Sequence, residues 1–330
     1  MRTGEKCMST IMALDGGGTK TLAILFDEDL NLLGMGRSGG MNTNFESMEV
    51  VKEHLTACIH GCLAAAGVSQ VDRFFIAGPG PYPEAEKILR EKAVLKSSGF
   101  EALSEGFNGV YAGLAASRGV SVLSGTGSRV DYVDGEAKYV TGGWGGFIGD
   151  EGSGCWIGQH GVSAAIAGHD GWGPATILED MIIKEWELDA LWGVVPRVFH
   201  GRSMRVELSS LSPLVGRAAR MGDEAAIQVY KDAAGILARQ CLAMYRNKKL
   251  DPSVPVVIAG SAWKGAPVMF EHFAALIHAE QPQTPVRRPI FEPIMGGVVE
   301  VALKGRSQLP EDELNLLKTR YAQFLCHYDD

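Results

Sequence analysis

The order of apolar and polar positions predicts that the chain opens with three strands. Apolar runs at 11–15 and 21–27 flank a glycine-rich loop, and a third run follows at 31–37. Short apolar runs separated by turn residues are typical of an antiparallel meander. Apolar residues then recur at helical spacing over 47–66, and the run at 71–77 predicts a further strand. The first part of the chain therefore predicts an α/β lobe.

The same order of elements begins again after residue 119. A buried run at 120–123 leads into the small residues 124–128, and strands are predicted at 129–133 and 137–140. Repetition of strand, small-residue loop and strand indicates two related lobes. The other predicted elements are helices at 84–93, 107–117, 295–303 and 311–324, a helical region over 163–240, and strands at 93–95 and 254–259.

Length and charge narrow the class of protein. A chain of 330 residues predicts two domains, which we place at 1–118 and 119–304, with a C-terminal helix in 305–330 that could pack back on the N-terminal lobe. The net charge of −8 argues against nucleic-acid or anionic-membrane partners, since both need clustered Lys and Arg. Without an apolar leader or a long apolar segment, we expect a cytoplasmic protein with a small-molecule partner.

The first glycine-rich loop has the chemistry of a phosphate site. Glycines remove the Cβ atoms that would keep a phosphate from backbone N–H groups, and threonine hydroxyls add donors. A dinucleotide-binding loop should open a helix, whereas residues 22–26 are β-formers, so this loop joins two strands. A plain hairpin turn is the alternative. Cys58 and Cys62 share a predicted helix face, where packing is favoured over metal binding because no second Cys/His pair has metal spacing.

A G-W-G-x-x-x-G-D-E-G-S run at 143–153 is the most specific of several motifs in the chain. Together these motifs resemble those of the N-acetylglucosamine kinase and BadF/BadG/BcrA/BcrD ATPase family. The resemblance implies an α/β, two-lobed actin-like ATPase (ribonuclease H-like) fold with an active-site cleft between the lobes. It further implies ATP and Mg²⁺ in that cleft, with a sugar deeper in it. The motifs lie in family order at 14–21, 123–128, 142–153, 256–261 and 291–297.

The resemblance also implies roles for individual residues. Asp15 would orient Mg²⁺ through water, and Asp150 would contact sugar hydroxyls. The residues alone leave a second role open for Asp150, as a helix N-cap or first-turn acid ahead of 151–167. The other implied sites are Gly16, Gly17, Gly18, Thr19, Gly125, Thr126 and Gly127 for the phosphates, Gly260 and Ser261 beside the adenosine, and Asn44 and Gly145 for the sugar.

The catalytic base is where this chain departs from the family pattern. Kinases of the family usually carry an Asp at the start of the helix before the S-G-T-G-S loop, but no Asp lies between Asp72 and Asp131. An ungapped count back from residue 119 places Glu105 there, whereas another register places Gly109 and leaves no base. We expect Glu105 to be the base, although an error of about 1 Å in its position can cost ~10²-fold in rate. A helix-capping role is the alternative for this residue.

These features predict an ATP-dependent kinase that phosphorylates an amino sugar, N-acetylglucosamine or glucosamine, at the 6-hydroxyl. One alternative is an ATPase that activates a dehydratase through an iron–sulfur cluster, for which Cys155 is the only cysteine near a loop motif. The other is a catalytically weak protein that binds ATP and sugar. The helical region at 163–240 exceeds what the cleft requires and would suit a homodimer.

Overall fold

The computed structural model describes residues 9–18, 20–43, 46–78, 80–92, 94–135, 137–201 and 203–328. The chain divides into two compact units. The first unit contains Met1–Ser117 and Pro289–Cys326, and the second contains Arg118–Arg288 and His327–Asp330. The break between Ser117 and Arg118 lies beside the boundary expected from the sequence. The segment 289–304, which the sequence-based division placed in the C-terminal lobe, is grouped with the first unit.

The first unit is built on a five-stranded mixed sheet. Its first three strands form the predicted antiparallel meander, and two further strands continue from the first strand in parallel. The sheet order is β3-β2-β1-β4-β5. The strands are β1 (Thr10–Gly16), β2 (Thr21–Asp27), β3 (Leu32–Ser38), β4 (Val71–Ala77) and β5 (Leu95–Leu103).

Helix α1 (Met48–Ala66) covers β2 and β3 of this sheet. The helix was predicted from its apolar spacing, and the Ser47 side chain caps its start by accepting a hydrogen bond from the Val50 N–H. Cys58 and Cys62 are fully buried in its sheet-facing side, and burial raises the pKa of both thiols to about 12. Both thiols therefore have the environment of core packing groups. Helices α2 (Tyr82–Glu91) and α3 (Glu105–Leu114) follow.

The second unit repeats the strand order of the first. Its first three strands are an antiparallel meander, and two more continue in parallel from the first of them. The order β8-β7-β6-β9-β10 thus matches β3-β2-β1-β4-β5 strand by strand. The strands are β6 (Arg118–Ser124), β7 (Ser128–Asp134), β8 (Ala137–Gly142), β9 (Val256–Ala259) and β10 (Val286–Arg287).

The helical region of the second unit packs around α9, whose sequence places Val229, Tyr230 and Leu237 in the core. The helices here are α4 (Gly154–His169), α5 (Leu178–Glu185), α6 (Val194–His200), α7 (Met204–Ser210), α8 (Ser212–Arg220), α9 (Glu224–Lys248) and α10 (Pro267–Glu280). Neither α10 nor the full length of β5 was predicted. Strand β5 contains two serines and a glycine, so its sequence carries a weak β signal and its pairing with β4 decides its conformation.

The chain then returns to the first unit with α11 (Gly296–Leu303) and α12 (Glu311–Arg320). Helix α11 packs on α3, and the Tyr321 hydroxyl donates to the Leu30 carbonyl oxygen at 3.1 Å. The first unit is therefore completed by residues that follow the second unit in sequence. None of the helices that the structure describes has the length and apolar character needed to cross a membrane.

Candidate functional site

The loop between β1 and β2 is a hairpin connection, as the sequence predicts. Gly16 pairs with Thr21, so residues 17–20 form the turn. Inside it the Gly17 N–H donates to the Lys20 carbonyl oxygen at 2.9 Å, and the Met41 N–H donates to the Gly17 carbonyl oxygen at 3.0 Å. Thr19 lies outside the described residues. Gly17 is therefore held by hydrogen bonds on both its N–H and its carbonyl oxygen.

Asp15, at the end of β1, carries the most perturbed carboxylate of this region. Desolvation raises its pKa from 3.8 to about 7, because burial disfavours the charged form. A hydrogen bond from Asn108 Nδ2 to Asp15 Oδ1, 3.0 Å long, lowers the pKa, as does the charge of Lys20. The charges of Glu105 and Glu292 raise it. Two other carboxylates of the first unit thus act on the charge state of Asp15.

Glu105 is the first residue of α3, one position after the helix cap. The Ser104 side chain accepts a hydrogen bond from the Phe107 N–H at 3.1 Å, so Ser104 is the cap. Glu105 is half-buried, and its charge acts on Asp15 even though 90 residues separate the two in sequence. Gly109, which the alternative register placed at the position of the base, is buried within α3. Glu105 therefore occupies the strand-to-helix junction that the sequence analysis assigned to a base.

Two residues near Asp15 were missed by the sequence analysis. Asn108 is 3% exposed and lies one turn after Glu105 on α3. Its Oδ1 has no hydrogen-bond partner within the part of the chain that the structure describes, and Gly296 packs directly against it. The sequence offered one signal for Asn108: it lies three residues after Glu105, which places both residues on one face of a helix. Glu292 lies in the motif at 291–297, but no local sequence pattern indicates that this residue comes close to Asp15.

In the second unit the β6–β7 loop is bonded to the Gly-Trp-Gly segment, residues 142–153. Ser124 pairs with Ser128, and the Gly125 N–H donates to the Gly127 carbonyl oxygen at 2.9 Å. The Ser124 hydroxyl donates to the Gly152 carbonyl oxygen at 2.6 Å, and the Ser128 hydroxyl donates to that of Glu151 at 2.7 Å. The predicted phosphate loop and the predicted sugar segment therefore lie together.

Asp150 is 4% exposed and both of its carboxylate oxygens are engaged. The Gly145 N–H donates to Oδ1 at 3.2 Å, and Arg205 Nη2 donates to Oδ2 at 3.0 Å. The alternative of a helix N-cap is wrong for Asp150. Ser153 caps α4 instead, accepting from the Trp156 N–H at 3.2 Å, because the helix begins at Gly154. The sequence analysis missed Arg205, which lies 55 residues from Asp150.

Gly260 and Ser261 follow β9 beside the β6–β7 loop. Gly260 has φ +98°, and a Cβ added there would collide with the Ser124 carbonyl oxygen. The first unit has the same arrangement: Gly78 follows β4 with φ +117°, and a Cβ there would collide with the Gly16 carbonyl oxygen. Each unit thus needs a glycine where its two parallel strands end beside the loop. Asn44 lies outside the described residues.

The donor set fits a magnesium ion that takes few protein ligands. Within the described ranges, no group of three or more His, Cys, Asp or Glu could hold a metal ion. Mg²⁺ in phosphate-transfer sites commonly takes one or two carboxylates, with phosphate and water oxygens filling the other positions. The single carboxylate of Asp15 beside a glycine loop matches that pattern.

Two equivalent sheets, each with a glycine loop after its first strand, define a mixed α/β fold that recurs in solved structures of a candidate N-acetylglucosamine kinase and a ROK protein. A candidate N-acetylglucosamine kinase from Chromobacterium violaceum has this fold, with a TM-score of 0.70 and 19% identity over 89% of this chain and 99% of that one. A ROK family glucokinase from Streptomyces griseus, solved with glucose and AMPPNP, has a TM-score of 0.57 and 14% identity over 91% and 99% of the chains. The predicted fold class is confirmed.

The chain belongs to the BadF/BadG/BcrA/BcrD ATPase family, whose model matches residues 13–301. The N-acetylmuramic acid/N-acetylglucosamine kinase of Clostridium acetobutylicum is 26% identical to it over 304 residues, covering 88% of this chain and 98% of that protein. The family resemblance inferred from the motifs is therefore confirmed.

Proposed function

We propose that this protein is an ATP-dependent amino-sugar kinase that transfers the γ-phosphoryl group of ATP to the 6-hydroxyl of N-acetylglucosamine or glucosamine. Membership of an ATPase family and similarity to a bacterial amino-sugar kinase support the class of reaction. The observation that carries the proposal is the position of Asp15, buried at the end of β1 beside the β1–β2 loop, with Glu105 at the start of α3 raising its pKa by charge. Such a transfer needs one carboxylate that orients the metal ion and a second that acts as the general base.

Glu105 is the proposed general base. Its carboxylate would accept the proton of the 6-hydroxyl as that oxygen attacks the γ-phosphorus in line with the leaving group. Glu105 lies in the first turn of α3 at a capped helix start, which fixes the position of its backbone. The charge of Glu105 acts on Asp15, so the proposed base and the proposed metal-orienting carboxylate interact electrostatically.

Asp15 is the proposed residue for Mg²⁺, through a water ligand. When bound, Mg²⁺ neutralises charge on the phosphate oxygens. Asn108 orients the Asp15 carboxylate, because its amide donates to Oδ1 at 3.0 Å. The pKa of about 7 means that a cation at this position would also favour the deprotonated form of Asp15.

Backbone N–H groups of the glycine loops are the proposed phosphate ligands. Those of Gly17 and Gly125 are used inside their own turns, so Gly18 in one loop and Thr126 and Gly127 in the other supply the donors that we assign to ATP. We assign Gly260 and Ser261 to the adenosine. Asp150 and Gly145, with Asn44, are assigned to the sugar hydroxyls, for which a carboxylate is a suitable acceptor.

A coupled assay of ADP release over a panel of sugars tests the proposal. We expect turnover stimulated by N-acetylglucosamine or glucosamine, and a loss of about 10²-fold or more in kcat for Glu105→Gln. Glu101→Gln is the matched control, since Glu101 pairs with Arg73 at 2.8 Å and its change should leave kcat near that of the wild type. Absence of turnover with every amino sugar would contradict the proposal, and calorimetric binding of ATP and sugar without turnover would support a catalytically weak binder instead.

No observation favours the alternative of dehydratase activation. Cluster ligation needs accessible thiolates, whereas Cys155 is buried and desolvation raises the pKa of its thiol. The sugar kinase therefore remains the proposed function.

A further inference from the structure

Arg205 lies where the β6–β7 loop meets the Gly-Trp-Gly segment. It comes from α7, in the helical region of the second unit, and its Nη2 is 3.0 Å from Asp150 Oδ2. A Cβ added to Gly127 would lie 2.6 Å from Arg205 Nη2 and 2.7 Å from Asp150 Oδ2. A Cβ added to Gly146 would lie 3.5 Å from Arg205 Cδ and Nε. The absence of a side chain at Gly127 is thus what leaves room for this guanidinium beside Asp150, whereas a Cβ at Gly146 would make only ordinary van der Waals contact with Arg205.

The ion pair compensates a carboxylate that water hardly reaches. The side chain of Asp150 is 4% exposed and that of Arg205 is 27% exposed. A buried carboxylate is tolerated when an opposite charge and hydrogen-bond donors satisfy it, which here are Arg205 and the Gly145 N–H. Arg129, which lies beside Gly142 and Gly143, pairs with Asp131 at 2.9 Å. The Asp150 carboxylate and the Arg205 guanidinium therefore sum to zero charge.

We propose that Arg205 is a specificity-determining residue that keeps the sugar site electrically neutral and so selects an uncharged, N-acylated amino sugar over a protonated free amine. The inference rests on the proposed function, which places the sugar at Asp150. Without the guanidinium, Asp150 would present a full negative charge in a low-dielectric surrounding and attract an ammonium group. With the guanidinium present, the ion pair acts on a charged substrate as a dipole. The field of a dipole decays faster with distance than the field of a single charge.

Three amino sugars that differ in charge provide the test. At about pH 6.5 glucosamine is a cation, N-acetylglucosamine is neutral, and N-acetylmuramic acid carries a carboxylate. We expect Arg205→Met to raise kcat/KM for glucosamine relative to N-acetylglucosamine by about tenfold or more, and to lower that for N-acetylmuramic acid by a similar factor. Arg205→Lys, which restores the charge, should keep both ratios near those of the wild type.

Arg217→Met is the matched control. Arg217 is paired with Glu185 at 2.7 Å in the same unit, but both side chains are about half exposed. Its replacement changes the net charge of the protein by the same amount at a solvated position, where screening is strong. We expect both substrate ratios to stay within about twofold of the wild type.

A second variant separates charge from loss of structure. Arg205→Gln keeps an N–H donor for Asp150 and removes only the charge, and calorimetry of sugar binding gives a readout even where turnover is lost. Two outcomes overturn the role of Arg205 and leave the kinase proposal standing. In the first, the substrate ratios of Arg205→Met and Arg205→Gln equal those of the wild type. In the second, the ratios shift in the same direction for the cationic and the anionic sugar. A wild type that phosphorylates none of the three sugars overturns the proposed function itself.

Discussion

Asp15 shows how one side chain can link the stability of the protein to pH. Its pKa is about 7 in the folded protein against 3.8 for an exposed carboxyl, so between about pH 4 and pH 7 the folded state holds a proton that the unfolded state has lost. The free energy of unfolding should therefore fall as pH rises through this window. We expect Asp15→Asn to flatten that fall and to be more stable than the wild type at about pH 8, measured by urea unfolding without metal or nucleotide.

Asp72→Asn provides the control of opposite sign. Although burial raises the pKa of Asp72, hydrogen bonds from the Thr10 N–H and hydroxyl, at 2.8 and 3.0 Å, lower it overall. This carboxyl should stabilise the protein above its unfolded pKa, and the benefit should be lost as pH falls through the folded pKa. An Asp15→Asn variant whose stability follows the wild-type curve would contradict the assigned shift.

Asn108 is predicted to act through Asp15. Removing the amide in Asn108→Ala leaves the Asp15 carboxylate without its oriented donor, and loss of such outer ligands typically costs about 10–100-fold in activity or metal affinity. We expect a higher Mg²⁺ concentration for half-maximal turnover, measured by metal titration at fixed ATP. Asn31→Ala, which removes a 2.9 Å hydrogen bond to Asp27 elsewhere in the first unit, should leave the metal requirement unchanged. Equal metal titrations for both variants would refute the role.

At the scale of elements, the two units use one device to place their loops. Gly78 and Gly260 each end a parallel strand in the left-handed region, and each lies against the last carbonyl of the neighbouring strand. A side chain at either position would force the two strand ends apart, and it would add backbone strain of order 1–3 kcal/mol. The glycines therefore hold each loop close to its strand ends.

Gly260→Ala is expected to lower both stability and apparent affinity for ATP. Gly135→Ala is the control, because Gly135 also has a positive φ, +57°, but no atom lies within 4 Å of its added Cβ. Both changes carry backbone strain, and only Gly260→Ala adds the collision with Ser124. Urea unfolding and nucleotide titration should therefore give larger losses for Gly260→Ala than for Gly135→Ala. Equal losses would mean that the close packing has no effect on the loop.

At the scale of the whole molecule, the first unit depends on residues that follow the second unit in sequence. Tyr321 is fully buried there, and the Glu292 N–H donates to the Phe324 carbonyl oxygen at 2.8 Å. Replacing a buried aromatic residue with Ala typically costs about 3–5 kcal/mol. We expect Tyr321→Ala to lose that amount in urea unfolding. Leu316→Ala, on the exposed side of α12, should lose less than about 1 kcal/mol, and a similar loss for both would contradict the packing role.

Much of the fold was predictable because its signals are local. The meander β1–β2–β3, helix α1 and the strands of the second meander lie within about two residues of their expected positions. Apolar periodicity and turn residues act over a few positions, so a sequence displays them directly. Strand β5 was largely missed because its conformation depends on pairing with β4, which no local pattern encodes.

The candidate site divides in the same way. The glycine loops, Asp15, Asp150 and the junction residue Glu105 could be named from the sequence because each lies in a short motif or beside a predicted strand end. The tertiary structure alone placed Asn108 on Asp15, across 93 residues, and Arg205 on Asp150, across 55. The tertiary structure also shows that Ser153, and not Asp150, caps α4. Motifs identify which residue types are available, but the charge and orientation of a buried carboxylate depend on partners that only folding brings into contact.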